Sequence, residues 1–109
     1  MKQLIMIFIF IFATSMLSAA IYKGHRIYVK ECGSCHTNKE GFLKTKTASQ
    51  WESLMKNKGK PLKEIHIKDA KAKKSLKYFN SAKYTKKSKH LKEFLMEYAK
   101  DKDKVPAFN

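Results

Sequence analysis

The chain has 109 residues, room for one domain, and its 24 Lys+Arg against 9 Asp+Glu give a formal net charge of +15. That length excludes a multi-domain protein, and the apolar leader described next argues against a cytosolic enzyme. Lys2 is the only charged residue between Lys2 and Ala20, and positions 4 to 12 are nine apolar residues in a row. A positive start, an apolar run of that length and the small residues Ser18-Ala19-Ala20 have the layout of a secretory signal peptide, with cleavage expected after Ala20. The alternative is a retained anchor. Leu4 to Ile21 spans 18 residues, near the lower limit for crossing a bilayer, but Thr14, Ser15 and Ser18 interrupt it. Either way residues 21–109 are delivered beyond the inner membrane, which in a bacterium is the periplasm.

The exported part, residues 21–109, carries 23 Lys+Arg against 9 Asp+Glu, or +14. It holds 32 apolar residues among 89, a thin supply for a self-sufficient core, so something besides side chains is expected to help hold it together. A first helix is expected from about Tyr22 into Cys32. Tyr28 stands four residues before Cys32 and shares a helical face with it. Gly24, a turn earlier, suits a close crossing by another helix or else a frayed N-terminus.

The two cysteines of the chain fall in one string, Cys32-Gly33-Ser34-Cys35-His36. A disulfide between them closes too small a loop to constrain the chain much. A thioredoxin-like dithiol wants a βαβ setting that the sequence does not offer. A zinc site needs a second ligand pair, and His66 and His90 are 24 residues apart. C-x-x-C-H is instead read as the attachment site of one covalently held haem c. Two thiols add to the two vinyl groups of the porphyrin, and the imidazole that follows falls under the iron as an axial ligand. Cys32, Cys35 and His36 are therefore the cofactor-binding residues, with His36 an iron ligand. Gly33-Ser34 is small enough for the loop to wrap the ring edge.

Thr37 to Lys46 is polar, contains Gly41 and reads as a loop with Phe42-Leu43 tucked inward. Thr47, with Gln50 three residues on, has the pattern of a capping box. The helix it opens carries Trp51, Leu54 and Met55 on one face and is expected to stop at Gly59-Lys60-Pro61. A third helix is expected from about Lys68 to Phe79, ending at Asn80-Ser81. The last, Lys89 to Lys100, has Leu91, Phe94, Leu95 and Tyr98 at i, i+3, i+4, i+7, a single apolar stripe. Beyond it Asp101-Lys102-Asp103-Lys104 is expected to be solvated and Val105 to Phe108 to fold back as a small flap. The whole is an all-α fold.

The signal, the segment Gly24…Tyr28…Cys32-x-x-Cys35-His36 and the terminal Leu91…Phe94-Leu95…Tyr98 resemble a small class I cytochrome c. In that family the first and last helices cross near the haem with a glycine and an aromatic at the contact. The resemblance implies that residues 21–109 form a cytochrome c domain, a monomer wrapped round one haem and serving as a one-electron carrier rather than an enzyme. The haem would supply the missing core. The family usually takes its sixth iron ligand from a methionine ahead of the last helix, and there is no methionine between Pro61 and Leu91.

The remaining candidates are judged by position. Met55 shares its face with Trp51 and Leu54, which suits a core methionine. Met96 lies off the terminal stripe, and His90 sits at the start of that helix. His66 is 30 residues past His36 and flanked by Ile65 and Ile67, apolar neighbours that suit a haem pocket wall. The order of candidates is His66, Met55, then no ligand. The positions Trp51…Leu54…His66…Tyr78-Phe79…Leu91…Phe94-Leu95 also resemble the bis-histidine and dihaem cytochrome c group. If no residue fills the sixth site, the alternatives are a haem-based gas-binding or sensor protein, or an accessory haem subunit of a larger oxidoreductase. The basic charge implies redox partners with acidic docking faces, or an anionic membrane surface, and export removes nucleic acid from the encounter.

Overall fold

The computed structural model describes residues 18–108, and every regular element among them is helical. Residues 1–17 of the expected signal lie outside the described residues. The first helix, α1, covers residues 18–27 of the described part, running through the expected cleavage point. No helix among the described residues is long and apolar enough to cross a membrane. At Tyr28–Cys32 the helix widens into a π-turn, closed by the Gly33 N–H donating to the Tyr28 carbonyl at 2.9 Å. The extra residue per turn re-aims Cys32, and such turns gather at functional sites.

Asn38 then caps a short helix, α2 (Lys39–Leu43), where a loop was expected; its side chain accepts from the Gly41 N–H. Leu43 is buried, so the inward tuck of this segment is as expected. The capping box forms: Thr47 Oγ1 accepts from the Gln50 N–H at 3.2 Å, and Gln50 Oε1 accepts from the Thr47 N–H at 2.9 Å. It opens α3 (Ala48–Leu54). That helix ends earlier than the sequence suggests, because Asn57, Lys58 and Gly59 take φ of 50°, 58° and 78° and turn the chain left-handed.

The helical run Lys56–Lys68, α4, resumes after that kink, with Pro61 in its new first turn. A proline there gives up an N–H that has no partner in any case. The Gly-Lys-Pro stop is therefore also a start, and His66 stands on a helix. The expected third helix divides into a 3₁₀ segment, Ala70–Ser75, and a single α-turn, α5 (Leu76–Phe79). The last helix, α6 (Ala82–Glu97), begins two turns earlier than expected, capped by Ser81.

The core is filled by Tyr28, Trp51, Tyr84, Leu91, Phe94 and Leu95, all essentially inaccessible. The Trp51 indole N–H donates to the Leu43 carbonyl at 3.1 Å, so the largest apolar side chain is buried without an orphaned donor. α1 crosses α6 at Gly24: a Cβ there would lie 2.7 Å from Phe94 Cβ, 2.8 Å from the His90 carbonyl carbon, and closer still to the His90 carbonyl oxygen. Gly24 is thus a contact residue and not a frayed end.

The C-terminal segment is tied down. The Lys44 ammonium donates to the carbonyls of Ala99, Lys102 and Lys104 at 3.1, 3.2 and 2.6 Å. The Asp101 carboxylate accepts from the Ala48 N–H at the start of α3, at 2.9 Å. Pro106 is buried, and Phe108 meets the His25 ring edge-on at 5.4 Å, which makes the expected flap.

Candidate functional site

The end of α1, the turn after it, α3, α4 and the 3₁₀ segment surround a cavity of about 360 Å³. That is the size range of small-molecule sites. Its walls bring together Cys32, Cys35, His36 and His66, which the sequence singles out. Phe42, Trp51, Leu54, Leu62, Phe79 and Leu95 supply an apolar lining, and Lys46 and Lys71 stand among the wall residues near the surface.

The turn follows from two hydrogen bonds: the N–H groups of Cys35 and His36 both donate to the Cys32 carbonyl, at 3.2 and 2.8 Å. Cys32 is half-buried at the end of the π-turn while Cys35 is exposed. Burial pushes the Cys32 thiol up to about 12, with the Glu31 carboxylate and Cys35 adding to the effect. A redox dithiol needs the reverse, an attacking thiol held well below its ordinary value. Cys32, drawn into the wall, lacks that activation. Among the described residues no three His, Cys, Asp or Glu side chains gather into a metal cluster.

His36 lies flat against Phe42, with ring centroids 3.7 Å apart and planes 12° from parallel. Burial lowers its basicity, and His66 and Lys46 lower it further, which favours the neutral imidazole that a metal needs. His66 stacks on Phe79 at 4.2 Å, and its Nδ1–H donates to the Leu62 carbonyl one turn earlier at 2.7 Å. That bond fixes the tautomer and leaves Nε2 with the lone pair, the arrangement typical of a metal-binding histidine. The two imidazole centroids are 6.5 Å apart with planes at 86°. Two imidazoles bound in trans to one metal at about 2 Å per bond bring their centroids to roughly 6 Å. A spacing of this size leaves room for one metal between the two rings, and the apolar lining with the paired thiols would suit a macrocycle attached through them.

Met55 is buried outside this cavity, with its sulfur 4.0 Å from the Tyr84 hydroxyl; it is a core residue. Met96 is half-buried against the core and also absent from the cavity walls. The isoleucines beside His66 do less than their apolarity suggests. Ile65 lines the cavity but is 53 % exposed, and Ile67, 48 % exposed, is not among the lining residues. The stacking partners Phe42 and Phe79 carry no sequence signal that ties them to a histidine. Compared with protein-family models, with curated proteins and with solved structures, the chain matches none.

Proposed function

We propose that the chain is an exported monohaem c-type cytochrome, a one-electron carrier whose iron is held by His36 and His66. The observation that carries this reading is the convergence of Cys32, Cys35, His36 and His66 on one apolar cavity, with the two imidazoles 6.5 Å apart. The crossing of α1 and α6 at Gly24 and Phe94 supports the cytochrome c-like architecture.

Bound haem iron supplies a one-electron exchange between its ferrous and ferric states. The chain's own residues do the rest. The Cys32 and Cys35 thiols would hold the cofactor covalently, each adding S and H across a vinyl group, beside the end of the π-turn. His36 and His66 would be its iron ligands, their rings held against Phe42 and Phe79. Leu54, Leu62 and Leu95 line the cavity against water, and Lys46 and Lys71 would offer positive charge to the propionates. A second histidine ligand in place of a thioether would favour the oxidised state.

The test is maturation in a cytochrome c assembly system. A red product whose haem survives denaturation, and is lost in Cys32→Ser/Cys35→Ser, is expected. Near-perpendicular imidazole planes also predict a strongly anisotropic low-spin ferric resonance signal. A colourless product overturns the reading.

A further inference from the structure

A second concavity, about 520 Å³, lies on the far side of Glu31 from the cysteine cavity, between the outer face of α1 and the start of α6. Its walls carry five cations, Lys23, Arg26, Lys30, Lys83 and Lys87, against one acid, Glu31. Two apolar side chains stand uncovered among them: Tyr22 is 62 % exposed and Val29 39 %. Tyr22, Arg26 and Val29 are spaced as neighbours along one face of a helix. Arg26 is the single arginine of a chain with 23 lysines, and a guanidinium presents the forked donors that match a phosphate.

We propose that this groove docks onto an anionic phospholipid surface, with Arg26, Lys83 and Lys87 on headgroup phosphates and Tyr22 at the headgroup level. The charge is complementary to such a surface. An aromatic and a β-branched residue set among cations on one helix face is the make-up of a helix that lies in a membrane interface. Cleavage after Ala20 leaves every groove residue in place. The inference is independent of haem.

The test is co-sedimentation of the full chain with vesicles of phosphatidylcholine alone and of phosphatidylcholine mixed with phosphatidylglycerol. The apolar leader contributes to both arms, so the ratio between them reads the charged surface. Cations seated at an anionic surface are each worth about a fivefold gain, so Arg26→Gln/Lys83→Gln/Lys87→Gln is expected to lower the ratio roughly a hundredfold. The equal-charge control Lys56→Gln/Lys60→Gln/Lys68→Gln removes exposed lysines elsewhere and is expected to lower it by less than about tenfold. All six positions are exposed, and circular dichroism checks that the fold is kept. The proposal is overturned if the two vesicle types bind alike, or if the groove variant behaves as the control does. Retention on immobilised polyglutamate without a phosphatidylglycerol preference also overturns it and assigns the groove to an acidic protein.

Discussion

The crossing at Gly24 is open to a sharp test, Gly24→Ala. A methyl group there lies 2.8 Å from the His90 carbonyl carbon and 2.7 Å from Phe94 Cβ, and still nearer the His90 oxygen. None of these atoms is the free end of a flexible side chain, so α1 and α6 must move apart. Overpacking of this kind costs about 1–3 kcal/mol, and a backbone-limited site belongs at the upper end. Alanine returns up to about 1 kcal/mol of helix propensity. The net loss expected is about 2 kcal/mol, a fall in melting temperature of roughly 8–16 °C for a domain of this size. Urea and thermal unfolding followed by circular dichroism, on parent and variant prepared alike, measure it. A loss under about 0.5 kcal/mol would refute the close crossing, because a propensity gain alone would then have met no clash. Serine at the same position is expected to cost at least as much as alanine.

Further outcomes follow from single contacts. Tyr84→Phe removes a hydroxyl that donates to the Gly59 carbonyl at 2.6 Å inside the core. It is expected to cost about 1–2 kcal/mol in urea unfolding, since a buried hydroxyl–carbonyl hydrogen bond is lost. Lys44→Met withdraws a donor from the carbonyls of Ala99, Lys102 and Lys104 and is expected to cost about 1 kcal/mol, with faster proteolysis after Ala99 as a second readout. Asp101 accepts the Ala48 N–H, which holds its carboxyl below the usual range. A depressed folded value means the contribution is full above the unfolded value near pH 4 and fades as pH falls through the folded one. Asp101→Asn should therefore flatten the loss of stability of the parent below pH 4, and an unchanged slope would remove this contact from the account.

What was legible in the sequence was local. The capping box at Thr47 and Gln50 needs only four residues and forms as read. Of the stripe Leu91, Phe94, Leu95 and Tyr98, equally self-contained, the first three are buried and Tyr98 packs partly buried against them. The early start of α6 was hidden by composition. Its buried face continues backward as Ser88 and Tyr84, one polar and one amphipathic, among Lys83, Lys86, Lys87 and Lys89. The helix that carries His66 was hidden by Pro61, which ends a helix in one register and begins one in another. The partners of the histidines were not legible at all. Phe42 and Phe79 reach His36 and His66 only after α2 and α5 have packed, and no spacing in the chain encodes that. His66 was singled out for its isoleucine neighbours, whereas the features that equip it are Leu62 one turn back and Phe79 from another element.

The central claim is that His36 and His66 hold one iron between them, and carbon monoxide tests it most directly. Protein matured with haem would be recorded oxidised, reduced, and reduced under carbon monoxide, for the parent and for His66→Ala. The account predicts a parent that is six-coordinate in both states and inert to the gas, and a variant that keeps its colour and binds the gas at once. A parent that binds carbon monoxide immediately, or a variant whose spectra match the parent's, would contradict it.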